Sequence, residues 1–214
     1  MRLISKLVGA IAALLPAAAT AGVTTPEYIL ARAPEGSTLS NVFDWTPAGS
    51  ELQVVDPVVF PESYNSSWIT IPDKAAQAQM LLTGPPYHEP MAAFVTFSDN
   101  TPVCSRSVGL LGVDGGMGAF TTAKVQQSIK AYLATLPEGW SLYDGLLSDQ
   151  SEDGRNDLTI FHLPDGVEFP GFFTGGDGGF SVVALFDGAD ATVSVVITFN
   201  RTADSSLVPP TCAA

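Results

Sequence analysis

Polar and apolar residues alternate along this chain in short runs, and the runs predict strands. In Thr192–Phe199, Val193, Val195, Ile197 and Phe199 alternate with Ser194, Val196 and Thr198. That period of two describes a strand with one strongly apolar face and one mixed face, half covered. The same reading places strands at Leu52–Val55, Val58–Phe60, Trp68–Ile71, Met91–Phe97, Ser107–Gly112, Asp157–Leu163, Val167–Phe173 and Ser181–Phe186. Gly188-Ala189-Asp190 reads as the hairpin turn joining the last two strands of the chain. One segment has the helical period instead. In Ala123–Leu136, Val125, Ile129, Tyr132, Leu133 and Leu136 share a face. Thr121 or Thr122 can cap its start, and Pro137 with Gly139 stops it. Lys74–Leu82 fits a helix by its Ala and Gln content and a strand by its length and its Pro and Gly borders.

Twenty glycines and 16 prolines are spread along the chain, as many short strands joined by turns require. The expected fold is α+β and mainly β. It is a single compact domain of antiparallel strands over residues 51–214, sandwich-like or a curved sheet, with one principal helix near 123–136. Residues 22–50 are rich in Pro, Gly, Ser and Thr and are expected to be partly ordered.

The first 21 residues read as an address. Arg2 and Lys6 precede an apolar run from Leu7 to Leu15, and Ala19-Thr20-Ala21 is a small-x-small cleavage site. This is the pattern of a secretory signal peptide cut after Ala21. The apolar run is short for a membrane span, and no later stretch is long enough, so no integral membrane segment is expected after cleavage. Secreted or periplasmic placement follows.

Losing Arg2 and Lys6 takes the net charge from −13 to −15, with seven basic against 22 acidic side chains. Such a surface argues against nucleic acid and anionic membranes as partners. The two cysteines, Cys104 and Cys212, are expected to form a disulfide in an oxidising compartment and to tie down the C-terminal tail.

Two glycine-framed aspartates stand out, in Gly112-Val113-Asp114-Gly115-Gly116-Met117-Gly118 and Gly175-Gly176-Asp177-Gly178-Gly179. Asp114 and Asp177 have two readings. As turn residues, their carboxylates cap backbone amides. As a converging pair, they act as acid and base on a glycan-like substrate, with Trp45, Trp68 or Trp140 as a stacking platform. A third acidic stretch runs from Asp149 to Asp157. Asp149, Ser151, Asp153 and Asp157 fall at loop positions one, three, five and nine, with Gly154 at six, a spacing that can wrap calcium. No Glu stands at position twelve, so the plain alternative is a solvated hairpin loop. The two histidines, His88 and His162, form no metal-ligand motif, and there is no Gly-x-Ser-x-Gly elbow.

Several of these segments together resemble one family. Val55-Asp56-Pro57, Ala93-Phe94-Val95-Thr96-Phe97-Ser98-Asp99, Gly112 to Phe120 and Phe172 to Phe180 are similar to the blocks of the bacterial domain-of-unknown-function 4241 family, over roughly residues 50–200. The chain departs from that pattern at Ala119, at Phe180 and in Thr174-Gly175-Gly176. The resemblance implies a compact, mostly β domain and supplies no activity.

With no nucleophile motif and no cofactor fingerprint, the sequence points first to a non-enzymatic binding or structural module with a protein or glycan ligand. The alternatives are a carboxylate-dependent hydrolase using Asp114 and Asp177, and a calcium-stabilised extracellular module.

Overall fold

A computed structural model describes residues 22–62, 64–150, 158–199 and 204–213. The elements, in chain order, begin with α1 (Thr25–Leu30), β1 (Thr38–Leu39), β2 (Phe43–Trp45), β3 (Glu51–Val55), β4 (Ile69–Thr70), β5 (Ala76–Leu82) and β6 (Pro90–Thr96). They continue with β7 (Cys104–Val113), β8 (Met117–Thr121), α2 (Ala123–Leu133), a π-helical turn (Tyr143–Leu147) and α3 (Ser148–Gln150). The last are β9 (Leu158–His162), β10 (Glu168–Phe173), β11 (Gly178–Phe186), β12 (Thr192–Thr198) and α4 (Asp204–Leu207).

The strands form two antiparallel sheets. The seven-stranded sheet runs β1-β5-β6-β12-β11-β7, with β2 also paired to β5. The five-stranded sheet runs β4-β3-β8-β10-β9. Between them lies the main core. Leu52, Val54, Phe120, Leu158 and Phe172 from the smaller sheet meet Met80, Val95, Val182, Val195 and Ile197 from the larger. Each sheet is covered on its outer face as well. Val125 and Ile129 of α2, with Leu142, Leu146 and Leu147, pack on Val55, Met117, Phe161 and Phe169. Ile29 of α1 and Leu207 of α4 pack on Leu81, Phe94, Leu185 and Val196. The result is a compact α+β domain of two β layers with helices on both outer faces, α2 being the larger helix.

The double covering corrects the reading of β12. Both of its faces are buried, because α1 and α4 close the side expected to be half exposed. Its alternation also breaks. Leu185 pairs with Ser194 and Phe186 with Thr192, so Val193 is an extra residue in a bulge. Val193 therefore joins Leu81 and Phe94 on the outer side, while Val195 and Ile197 stay in the main core.

Other differences have local causes. Val58–Phe60 forms no strand, because the N–H groups of Val58 and Val59 go to the side chain of Asp56 rather than to a ladder. Lys74–Leu82 resolves as strand β5, buried almost throughout. β8 goes unread in the sequence because its residues, Met117 to Thr121, are all buried and show no alternation. Residues 22–50 carry α1, β1 and β2, and both strands pair with β5. The helix expected over 123–136 ends at Leu133, with Thr122 Oγ1 accepting from Val125 N–H at its start. The hairpin at Gly188-Ala189-Asp190 is present, with Asp190 at φ 62°.

Cys104 and Cys212 form a disulfide between residues 108 apart in the chain. It fastens the tail along the free edge of β7. Ser105 N–H donates to Pro210 O at 2.9 Å, Cys212 N–H donates to Ser105 O at 2.9 Å, and Ser105 Oγ donates to Pro209 O at 2.7 Å. Further along the same edge, Ser67 N–H bonds Val108 O and Gly112 N–H bonds Tyr64 O, each at 2.8 Å. No helix of the described residues is long and apolar enough to cross a membrane.

Candidate functional site

The two glycine turns meet at one end of the sandwich, and the sheet register explains why. β7 and β11 are neighbours in the larger sheet, with Val113 opposite Gly178. β8 and β10 are neighbours in the smaller sheet, with Met117 opposite Phe173. The β7–β8 and β10–β11 connections therefore both cross between sheets at the same end, side by side. Thr174 N–H donates to Gly116 O at 2.9 Å and ties one turn to the other. Thr174 is itself buried and its Oγ1 donates to Gly176 O at 2.6 Å.

The first turn is held from beneath by Asp56, which is fully buried. Its Oδ2 accepts the N–H groups of Asp114 at 2.8 Å and Gly115 at 3.2 Å. Its Oδ1 accepts those of Val58 at 2.8 Å and Val59 at 3.4 Å. A carboxylate that collects several backbone donors is a strong, directional anchor. Glycine is required twice just beyond it. A Cβ on Gly115 would stand 2.7 Å from Val58 Cβ, and Gly116 lies at φ +67°.

The amide-capping role expected of the glycine-framed acids thus belongs to Asp56. Asp114 and Asp177 are both exposed, and among the described residues no hydrogen bond reaches either carboxylate. The sequence signal for Asp56 was an acid followed by Pro57 inside an otherwise apolar stretch, Val54 to Phe60.

Two adjoining cavities open at this end. One, of about 500 Å³, is lined by Asp177, Leu110, Ser181, Thr198 and both Phe180 and Phe199. The other, of about 470 Å³, is lined by the glycines of both turns, by Phe173 and Thr174, and by Glu89. Phe199 lines both. Asp114 lines neither, so only one of the two carboxylates reaches a cavity. The tryptophans are elsewhere. Trp45 is buried, with its Nε1 donating to Glu168 O at 3.1 Å, and Trp68 and Trp140 lie outside both cavities.

The other chemically marked residues lie apart from the turns. Asp149 is exposed in α3, while Ser151, Asp153 and Asp157 lie outside the described residues, as do residues 1–21. Among the described residues no group of three or more His, Cys, Asp or Glu is placed to hold a metal. Gln150 clamps the edge of β9, its amide bonding His162 N–H at 2.8 Å and His162 O at 2.9 Å. His162 Nδ1 lies 2.9 Å from Glu168 Oε1. Acids in tight turns are held below the ordinary carboxylate range. The backbone N–H of Ala191, and then the Asn100 amide, do this for Asp187. The Ser128 hydroxyl, and then Val167 N–H, do it for Asp165.

No family model, curated protein or solved structure matches the chain, so the meaning of this end of the sandwich rests on its own geometry.

Proposed function

We propose that this chain is an exported binding module whose ligand seats on the paired glycine turns. One observation carries the reading: two neighbouring cavities share Phe199, the second sheet-crossing turn lines both, and the first lines one of them. Small-ligand sites are concavities of about 300–1,000 Å³ with apolar and aromatic walls and a few placed polar groups, backbone N–H and C=O among them. The buried Asp56 beneath one turn and the Thr174–Gly116 bond between the turns hold it in shape without a ligand. The hydrolase alternative needs two carboxylates at one cavity, and Asp114 lines neither cavity. The resemblance of residues 50–200 to the 4241 family supports the fold side of this reading and adds no chemistry.

Export is supported by the charged and apolar pattern of residues 1–21 and by a disulfide of the kind kept in oxidising compartments. N-terminal sequencing of protein recovered from periplasm or medium is expected to begin at Gly22. A chain that still begins at Met1 overturns export with cleavage.

The binding reading is tested by a fragment screen of mixed charge followed by amide shifts in NMR spectra of the purified protein. Shifts gathered on Gly115, Gly116 and Gly175–Ser181 are expected. A screen whose hits map elsewhere, or that yields none, removes the site.

A further inference from the structure

Asp-Gly is a peptide bond open to attack from within its own chain. The glycine has no Cβ to keep its nitrogen away from the preceding carboxyl carbon. Six such pairs occur, at Asp114, Asp144, Asp153, Asp165, Asp177 and Asp187. Asp153 lies outside the described residues. Attack needs a free carboxyl group and a free glycine N–H, and at four of the other five the fold engages one or both. Asp144 accepts from Ser141 N–H at 2.9 Å and Ser141 Oγ at 2.7 Å, and Gly145 N–H goes to Ser141 O. Asp165 accepts from Val167 N–H at 3.1 Å, and Gly166 N–H goes to Leu163 O at 2.9 Å. Asp187 accepts from Ala189 N–H, Ala191 N–H and the Asn100 amide. Ser141 N–H, the Ser128 hydroxyl and Ala191 N–H respectively lead in holding these three carboxyls below the ordinary range, which depletes the acid form that can lose water. At Asp114 the carboxylate is unheld, but Gly115 N–H is given to Asp56 Oδ2 at 3.2 Å.

Asp177 differs from the rest. It is exposed, and among the described residues no hydrogen bond reaches its carboxylate. Gly178 pairs with Val113 at the last rung of the β7–β11 ladder, where strands open most readily. Gly175 and Gly176, at φ +78° and +151°, and Gly178 on the other side let the main chain around Asp177 reach the attacking geometry. We propose that Asp177 is a site of spontaneous isomerisation to isoaspartate. Gly178 N bonds to Asp177 Cγ, the carboxyl OH leaves with the amide hydrogen as water, and a succinimide ring closes. Water then adds to the main-chain carbonyl carbon of Asp177 and breaks its bond to nitrogen. The chain thereafter runs through Cβ and Cγ, one carbon longer, with the carboxylate on Cα. Water is the only other reactant. The extra carbon enters the turn that lines both cavities, so conversion reshapes that end of the sandwich whatever the turns bind.

The test keeps the purified protein warm at mildly acid pH, folded in buffer and unfolded in guanidinium. Isoaspartate at each Asp-Gly pair is measured over time by electron-transfer fragmentation of the peptides. The ratio of unfolded to folded rate cancels local sequence effects and leaves the protection that the fold gives. Protection at Asp114, Asp144, Asp165 and Asp187 is expected to exceed that at Asp177 by about tenfold or more, the rate cost of first opening a hydrogen bond to a charged group. Asp177→Glu keeps the charge, but its ring would need six members and closes slowly. That variant is expected to fold like the parent and to lose the isoaspartate that the folded parent accumulates. Protection at Asp177 equal to that at any of the other four overturns the proposal, as does a folded protein that stays free of isoaspartate there. A folded-state signal that persists unchanged in Asp177→Glu places the reaction at another residue and overturns it too.

Discussion

The side chain of Asp56 holds the main chain of Asp114. Its Oδ2 takes the Asp114 N–H at 2.8 Å across 58 residues of sequence, while Oδ1 takes Val58 N–H at 2.8 Å. Removing the carboxylate leaves several inward-facing donors without an acceptor. Asp56→Ala is expected to cost about 2–4 kcal/mol, since each unsatisfied buried group costs about 1–3 kcal/mol. Asp114→Asn and Asp177→Asn change exposed side chains and are expected to stay within about 0.5 kcal/mol of the parent. Urea titrations compare the midpoints at constant slope. An Asp56→Ala curve that overlays the parent would falsify the anchor.

The disulfide has two separable effects. As a cross-link between residues 108 apart it limits the unfolded chain, worth up to about 4–5 kcal/mol in the loop-entropy description. As a fastening it keeps residues 209–212 against Ser105 at the edge of β7. Cys104→Ser with Cys212→Ser is expected to lower the melting temperature and to produce dimers or larger species, because an unpaired strand edge recruits other strands. Calorimetry reads the first effect and light scattering the second. A destabilised protein that stays monomeric at all concentrations shows that the tail holds the edge without its sulfur link.

Acid sensitivity is expected at the β11–β12 hairpin. Asp187 accepts from Ala191 N–H at 3.0 Å, Ala189 N–H at 2.9 Å and Asn100 Nδ2 at 2.7 Å, and Ala191 leads in holding its carboxyl below the ordinary value. A carboxylate with a lowered pKa when folded stabilises fully above its unfolded pKa. That contribution is lost as pH falls through the folded value. Stability should therefore decline as pH falls below about 5, where a free Asp of pKa about 3.9 begins to protonate. Asp187→Asn should be less stable than the parent at pH 7 and show a shallower decline under acid. Thermal melts from neutral to acid pH make the comparison. Parallel curves would assign the acid loss to other carboxylates.

Aromatic rings lie over glycines in the smaller sheet. Gly118 pairs with Phe172, and a Cβ added at Gly118 would run into the Phe172 ring. A Cβ added at Gly171, which pairs with Thr159, would likewise run into the Phe161 ring. Phe172 in turn packs on Phe120 at 5.1 Å and Phe199 at 5.7 Å between ring centres. Gly118→Ala is expected to cost about 1–3 kcal/mol by overpacking. Because Phe199 walls both cavities, it should also broaden the NMR signals of Gly175–Ser181. Sharp, unshifted signals there would separate the ring stack from the site.

Most strands were legible because half-buried strands repeat every two residues. That signal vanishes where both faces are covered. In β8 every residue is buried, and in β12 a bulge at Val193 moves one apolar side chain to the other face. The pairing of Cys104 with Cys212 was readable from an even count of cysteines behind an export-type N-terminal pattern. The two glycine turns were visible as composition, yet their meeting follows from strand order, which local pattern does not encode. Asp56 escaped for a related reason. Its partners at 114 and 115 lie far along the chain, and nothing near it but Pro57 marks it as more than a turn acid.

The covering of the larger sheet is shared between α1 and α4, which touch each other over Leu81, Phe94 and Val196. That layer cannot close while residues 204–207 are missing, however much of the sandwich has formed. A chain emerging N-terminus first thus keeps an apolar face open until residues 204–207 arrive, and residues 209–212, which reach β7, arrive after them. Completion of the fold is tied to arrival of residues 204–212, far along the chain from the strands they cover.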